Sequence, residues 1–149
     1  MSADAAKGAF EVLKEYMQRA GTAREDGEPI VLATVRGDIH DIGKNIVKVL
    51  WENYGYRVLD LGRDVAPERI LAAVRDSGAK LVGMTALMTT TVPAMEETIQ
   101  LLRHEHVPVQ ILVGGAVLTA DYASRIGADG YAGDAVAAVE FANALFGKA

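Results

Sequence analysis

His40 is the residue of this sequence best placed to hold a metal, because Asp38 and Asp41 flank it in a stretch bounded by Gly37 and Gly43. A histidine can bind metal through one ring nitrogen while the other donates to a carboxylate, which fixes the tautomer and raises the basicity of the ligand. Asp38 is spaced to be that carboxylate, and Gly43 would let a bulky group approach the backbone. One histidine cannot build a protein zinc site. The metal is therefore predicted to bring most of its own ligands, as the metal of a macrocycle does.

The elements around this stretch are predicted to alternate between strands and helices. Short apolar, β-branched runs predict strands over 30–35, 57–61, 81–85, 109–113 and 130–132. Apolar residues at helical spacing, several with Pro at the start or Gly after the end, predict helices over 42–53, 67–77, 93–104, 120–126 and 135–146. This succession indicates an α/β fold with a flavodoxin-like (Rossmann-like), doubly wound sheet of five parallel strands, for which the order 2-1-3-4-5 is preferred.

Composition narrows the class of protein. Residues 1–29 are predicted to form an N-terminal helix over 5–19 and a polar linker, and residues 30–149 a single domain. A formal net charge of −5 argues against a nucleic-acid partner. No apolar run approaches the roughly 20 residues of a membrane helix. The sequence has no cysteine, which excludes a disulfide framework and a thiolate metal site. No signal peptide is visible at the N-terminus, and a cytoplasmic location is expected.

The predicted sheet also says where a ligand should bind. In a doubly wound sheet, ligands lie beyond the carboxyl ends of the strands, at the switch point between strands one and three. The loops at that edge are 36–45, 85–91, 114–116 and 132–135, and they collect polar and glycine residues. His40 therefore lies in the loop where the site is predicted.

Three short motifs in these loops resemble the signatures of cobalamin-binding domains. The stretch 38–43 (DIHDIG) resembles the family's Asp-x-His-x-x-Gly motif, 85–87 (TAL) resembles its Ser-x-Leu motif with Thr for Ser, and 114–115 (GG) matches its Gly-Gly motif. All three fall on the expected loops in the expected order. The longer stretch 37–47 (GDIHDIGKNIV) is similar to the branch that contains methionine synthase and the corrinoid methyltransferase proteins.

The resemblance implies a site and a cofactor. It implies cobalamin bound with its own lower base displaced (base-off) and His40 as the axial cobalt ligand (His-on). It further implies that Asp38 orients His40 and that the Thr91 hydroxyl extends the pair into a relay. Residues 30–149 would be the cobalamin-binding domain, and small residues, among them Gly83, would line a slot for the nucleotide tail. The cofactor contacts that the resemblance implies are Gly37, Asp38, Ile39, His40, Asp41, Ile42, Gly43, Thr85, Leu87, Thr89, Gly114, Gly115 and Ala135.

The function implied is that of a corrinoid protein that carries a methyl group between methyltransferase partners, on methylcobalamin or a related corrinoid. Catalysis would be shared with those partner subunits, so whether the chain is itself an enzyme stays open, and a reductive activase is a further partner in such systems. The family usually places a four-helix cap before this domain, whereas only residues 1–29 precede the first strand here. The cap is therefore missing, excised or supplied by another chain.

Two other functions share the motifs and the fold. One is the small subunit or domain of an adenosylcobalamin-dependent mutase, and the other is a non-catalytic cobalamin carrier or sensor. A phospho-receiver domain is excluded because Thr85 stands where its aspartate would end the third strand. Among the neighbouring residues, Lys44 and Asn45 are expected to begin a solvated helix face, and one threonine of 89–91 is expected to cap the helix that follows.

Overall fold

The structure is a computed structural model that describes residues 27–147. Strands and helices alternate along these residues. The strands are β1 Pro29–Thr34, β2 Arg57–Asp60, β3 Leu81–Thr85, β4 Gln110–Gly114 and β5 Gly130–Ala132. The helices are α1 Ile42–Asn53, α2 Pro67–Ser77, α3 Val92–His104, α4 Ala120–Arg125 and α5 Ala135–Leu145. Each element agrees with its predicted range to within one residue at either end. The helix predicted over 5–19 lies outside the described residues.

The five strands form one parallel sheet in the order β2-β1-β3-β4-β5, so the predicted fold is confirmed. The register aligns the last residues of four strands, since Thr34 pairs with Thr85, Thr85 with Gly114 and Gly114 with Ala132. This row forms the carboxyl edge of the sheet. The loops that carry the predicted motifs therefore leave the sheet side by side.

Helices cover both faces of the sheet. Alternate strand residues point to opposite faces, and Val31 joins the apolar cluster under α2, α3 and α4 while Leu32 joins the cluster under α1 and α5. On the second face, Trp51 Nε1 donates to the carbonyl oxygen of Ala138 at 3.1 Å, which ties α1 to α5.

The ends of the helices follow ordinary capping chemistry. Helix α2 begins at Pro67 and ends at Ser77, and the residue that caps it, Gly78, has a left-handed φ of 68°. The Asp134 side chain caps α5 by accepting from the backbone N–H of Ala137 at 2.8 Å. Within residues 27–147, no helix combines the length and the apolar character that crossing a bilayer requires.

Candidate functional site

Asp38 is the centre of the polar contacts at the carboxyl edge of the sheet. Its side chain is fully buried. Oδ1 accepts from the backbone N–H of His40 at 2.9 Å and lies 2.8 Å from Nδ1 of the His40 ring. Oδ2 accepts from the backbone N–H of Leu87 at 2.7 Å and from the Thr91 hydroxyl at 2.7 Å. One carboxylate therefore joins the loop after β1 to the loop after β3.

These contacts determine the charge of Asp38. Burial raises the pKa of this carboxyl, but the hydrogen bonds from Leu87, His40 and Thr91 lower it more, so that the pKa lies well below its usual range. Asp38 is therefore ionised at neutral pH and can only accept hydrogen bonds. The proton of a neutral His40 ring then sits on Nδ1, and Nε2 keeps a free lone pair. The His40 side chain is 45% exposed, which leaves Nε2 available to a metal.

Thr91 completes a hydrogen-bonded chain of three side chains, His40–Asp38–Thr91. Its hydroxyl is buried between Asp38 Oδ2 and the carbonyl oxygen of Met88, which lies at 2.9 Å. Thr91 occupies the N-cap position of α3 but makes no side-chain capping bond there. A threonine thus stands at the N-cap as expected, but its hydroxyl binds Asp38 instead of capping the helix.

A cavity of about 360 Å³ opens beside His40 at the carboxyl edge. Its lining joins the ends of β3 and β5 to the starts of α1 and α5. Of the predicted contacts, seven line it: His40, Ile42, Gly43, Thr85, Leu87, Gly115 and Ala135. A second void of about 30 Å³ lies deeper, and Gly83, Gly114 and Trp51 are among its lining residues. Val47, Thr85 and Ala132 line both spaces.

The remaining predicted contacts lie around the cavity rather than in its wall. Gly37 has a φ of 86° and precedes the buried Asp38. Ile39 is exposed beside His40, and Asp41 occupies the N-cap position of α1. Thr89 is exposed on the loop before α3. These residues are within the same loops but do not line the cavity.

We call the apolar rim the five exposed apolar side chains that line the cavity or directly neighbour a lining residue in the sequence. Ile42 is 76% exposed and Val136 is 60% exposed. The rim residues are Ile39, Ile42, Leu87, Val117 and Val136. Val117 and Val136 are absent from the predicted contacts. The sequence could have indicated both residues. Val117 lies in the loop after β4, Val136 lies at the start of α5, and each comes shortly after a glycine that follows or ends a strand.

The prediction of a solvated face at Lys44 is wrong. The Lys44 side chain is 2% exposed, and its Nζ donates to Asp60 Oδ1 at 2.6 Å. Asp60 ends β2 and also accepts from the backbone N–H of Gly62 at 2.8 Å. The pair therefore fastens the first turn of α1 to the end of the neighbouring strand, and Lys44 forms part of the cavity wall.

Gly115 shows that the backbone itself forms part of the site. A Cβ at Gly115 would overlap the carbonyl oxygen of Ala86, and the φ of 143° is one that other residues rarely adopt. The loops after β3 and β4 therefore approach each other more closely than any side chain would permit. At Gly43, by contrast, a Cβ would meet nothing, so that α1 begins with open space on the cavity side.

The residues present fit a metal that arrives inside a macrocycle. In the part of the chain that the structure describes, no group of three or more His, Asp or Glu side chains could hold a bare metal ion. His40 offers a single nitrogen beside an apolar rim and a cavity lined by small residues. A corrinoid supplies the other cobalt ligands itself, which is the arrangement that this site needs.

Comparisons with known proteins agree with this chemistry. The family model of the B12 binding domain matches residues 28–140. A corrinoid protein of Desulfitobacterium hafniense is 40% identical over 99% of this chain and 70% of its own length. Dimethylamine corrinoid protein 3 of Methanosarcina mazei is 40% identical over 97% of this chain and 87% of its own length.

A solved structure gives the same result. A chain of the methanol:cobalamin methyltransferase complex from Methanosarcina barkeri matches with a TM-score of 0.79 at 36% identity, over 91% of this chain. This chain spans about half (53%) of that one. The predicted family and the predicted corrinoid cofactor are confirmed. The chain belongs to the B12-binding domain family and, within it, to the corrinoid proteins.

Proposed function

We propose that this chain holds a corrinoid through Nε2 of His40, with the cofactor's own lower base displaced, and carries methyl groups between methyltransferase partners. When bound, the corrinoid supplies the cobalt that accepts and gives up the methyl group. The observation that carries the proposal is the His40–Asp38–Thr91 chain beside a 360 Å³ cavity with an apolar rim. The chain's own contribution is to bind, to orient and to hold a proton.

Asp38 orients the His40 ring and fixes its tautomer. The contact of 2.8 Å from Nδ1 to Asp38 Oδ1 directs the free lone pair to Nε2. With Nε2 bound to a metal, the ionised Asp38 would keep the remaining ring proton on Nδ1. Thr91 keeps Asp38 in place by donating to its other oxygen. Asp38 and Thr91 would together present a neutral imidazole to the metal, the form that ligation requires.

The partners follow from the relatives and from the surface around the site. Relatives of this chain are named for dimethylamine and for a methanol:cobalamin methyltransferase complex. We propose that this chain likewise serves a methyltransferase that acts on a small methylated compound, and that a reductive activase restores the cofactor. The exposed apolar rim supports a face on which cofactor and partner meet. The relatives favour methyl transfer over a mutase, whose adenosylcobalamin chemistry belongs to a different class of enzyme.

Electron paramagnetic resonance tests the His40 ligand. The protein is reconstituted with cobalamin, reduced to the cobalt(II) form, and prepared with histidine labelled by nitrogen-15. We expect a labelled-nitrogen coupling in the wild type that His40→Gly lacks. The matched control is His104→Gly, since His104 is exposed at the end of α3 and should leave the coupling intact. A coupling that survives in His40→Gly contradicts the proposal.

Methyl carriage is tested separately. The loaded protein is reduced, treated with isotopically labelled methyl iodide and freed of excess reagent. We expect protein-bound label, which is lost when a corrinoid-dependent methyltransferase and its acceptor thiol are added. Retention of the label with every methyltransferase of the methylamine and methanol classes would favour the carrier or sensor alternative.

A further inference from the structure

We propose that Asp64 is a positioning residue for His40. It lies in the loop after β2, outside all three family-like motifs, and it does not line the cavity. Its carboxylate holds the turn that carries Asp38 and, through Asp38, the His40 ring. The proposal rests on the proposed role of His40 as metal ligand.

Two hydrogen bonds join Asp64 to the turn before His40. Oδ1 of Asp64 accepts from the backbone N–H of Gly37 at 2.7 Å. The backbone N–H of Asp64 donates to the carbonyl oxygen of Asp38 at 3.0 Å. The two bonds run in opposite directions, so that the peptide groups before Gly37 and after Asp38 are both held from outside the turn. The turn itself is closed by the Asp38 N–H, which donates to the carbonyl oxygen of Val35 at 3.1 Å.

The backbone of Asp64 supports a role for its side chain. Asp64 has a φ of 54°, and His106 is the other non-glycine residue with positive φ among residues 27–147. Glycine adopts this conformation at lower cost than aspartate. Asp64 is exposed, so that it adds little to the apolar packing. The carboxylate that reaches Gly37 is therefore the feature that distinguishes aspartate from glycine at this position.

The other end of the same loop is also fixed. Asp60 Oδ1 accepts from the N–H of Gly62 at 2.8 Å and from the buried Lys44 at 2.6 Å. The carbonyl oxygen of Gly62 accepts from the N–H of Thr34 at 2.9 Å. Asp64 thus projects from a loop that is anchored to α1 and β1. A carboxylate on an anchored loop can restrict the conformations of the turn that it binds.

A comparison of Asp64→Gly with Asp64→Asn separates the positioning role of the side chain from the effect of the positive φ at this position. Glycine accepts the positive φ but removes the acceptor for Gly37. Asparagine tolerates the same φ and keeps an oxygen that can accept. In the cofactor-free protein, loss of one exposed hydrogen bond should speed amide hydrogen exchange at Gly37 and His40 by about two- to tenfold in Asp64→Gly. Asp64→Asn should remain close to the wild type.

The second measurement uses the cobalt(II) form loaded with cobalamin. We expect Asp64→Gly to lower the fraction of cobalt coupled to histidine nitrogen by about two- to tenfold, with rescue in Asp64→Asn. The proposal is overturned if both variants match the wild type in amide exchange and in histidine coupling. It is also overturned if both variants show the same faster exchange and the same loss of coupling. A change in melting temperature alone, with exchange and coupling unchanged, assigns Asp64 a structural role and also overturns it. If the wild type shows no histidine coupling, the proposed function fails, while the exchange result still decides whether Asp64 holds the turn.

Discussion

Asp38→Asn should destabilise the cofactor-free protein severely, although it removes no atoms from the core. Five donors point at the buried carboxylate: the N–H groups of His40, Leu87 and, at 3.4 Å, Met88, together with the His40 ring and the Thr91 hydroxyl. An amide has only one accepting oxygen, so that at least one backbone N–H loses its acceptor, at about 1–3 kcal/mol. The three short bonds that remain lose the negative charge of their acceptor, at about 1 kcal/mol each. The expected loss is about 4–6 kcal/mol in the free energy of unfolding at neutral pH.

The assay is urea unfolding of the cofactor-free protein, with Asp41→Asn as the matched control. Asp41 is three residues from Asp38 in the same loop, and its side chain makes no capping bond to α1. The control should therefore lie within about 0.5 kcal/mol of the wild type. A loss below about 1 kcal/mol in Asp38→Asn, or an equal loss in both variants, would refute the reasoning, since the buried carboxylate would then contribute nothing that an amide cannot replace.

The charge of Asp38 also predicts how the free energy of unfolding depends on pH. The pKa of Asp38 in the folded protein lies well below its value in the unfolded chain, which is about 3.9. Its contribution to stability is therefore fully present above the unfolded pKa and is lost as the pH falls through the folded one. The difference in unfolding free energy between the wild type and Asp38→Asn should shrink as the pH is lowered below about 4. A difference that stays constant down to pH 2 would contradict the assigned charge.

Further predictions concern the glycines and the buried lysine. Gly115→Ala should lower the unfolding free energy by more than about 3 kcal/mol, because its Cβ overlaps a backbone carbonyl, whereas Gly43→Ala should leave it unchanged or slightly higher. In a cobalamin titration, Gly43→Leu should weaken binding because it fills space beside the cavity; unchanged affinity would show that the cofactor stays away from this helix start. Lys44→Met should cost about 2–4 kcal/mol in unfolding free energy, because it leaves Asp60 without its buried partner. The control Lys48→Met should cost less than about 1 kcal/mol, because the Lys48 side chain is 39% exposed. Equal costs for the two lysines would mean that the burial of Lys44 adds nothing.

The elements of the fold could be predicted because each is marked locally. Pro67 and Gly78 bracket α2, and apolar β-branched runs mark the strands. The small errors occur where pairing decides the boundary. Val35 belongs to the apolar run of β1 but pairs with Val65 only through an isolated bridge, so that the strand ends at Thr34. Such differences depend on neighbours that are distant in sequence.

The site was predictable to the extent that its contacts are local. The contact between His40 and Asp38 spans two residues, and it follows from their spacing. Thr91 and Asp38 are 53 positions apart, and their contact was predicted by the family resemblance rather than by the spacing of the residues. Lys44 was misread because its partner Asp60 comes from another strand, and a lysine in the first turn of a helix gives no sign of burial. Nothing in the sequence indicated the left-handed backbone conformation of Asp64.

The polar contacts beneath His40 are all made by groups of the chain itself, whereas the apolar side chains around it are exposed. Because the donors to Asp38 are groups of the chain itself, the chain can position the His40 ring without help from a ligand. The apolar rim is the opposite case, because it stays exposed until something covers it. Affinity should therefore come mainly from burying the rim and the cavity wall, at roughly 25 cal/mol for each Å² of apolar surface, while His40 selects the coordination state. On this account, removing the His40 ring changes the spectrum of the bound cobalt more than it changes the affinity for cobalamin.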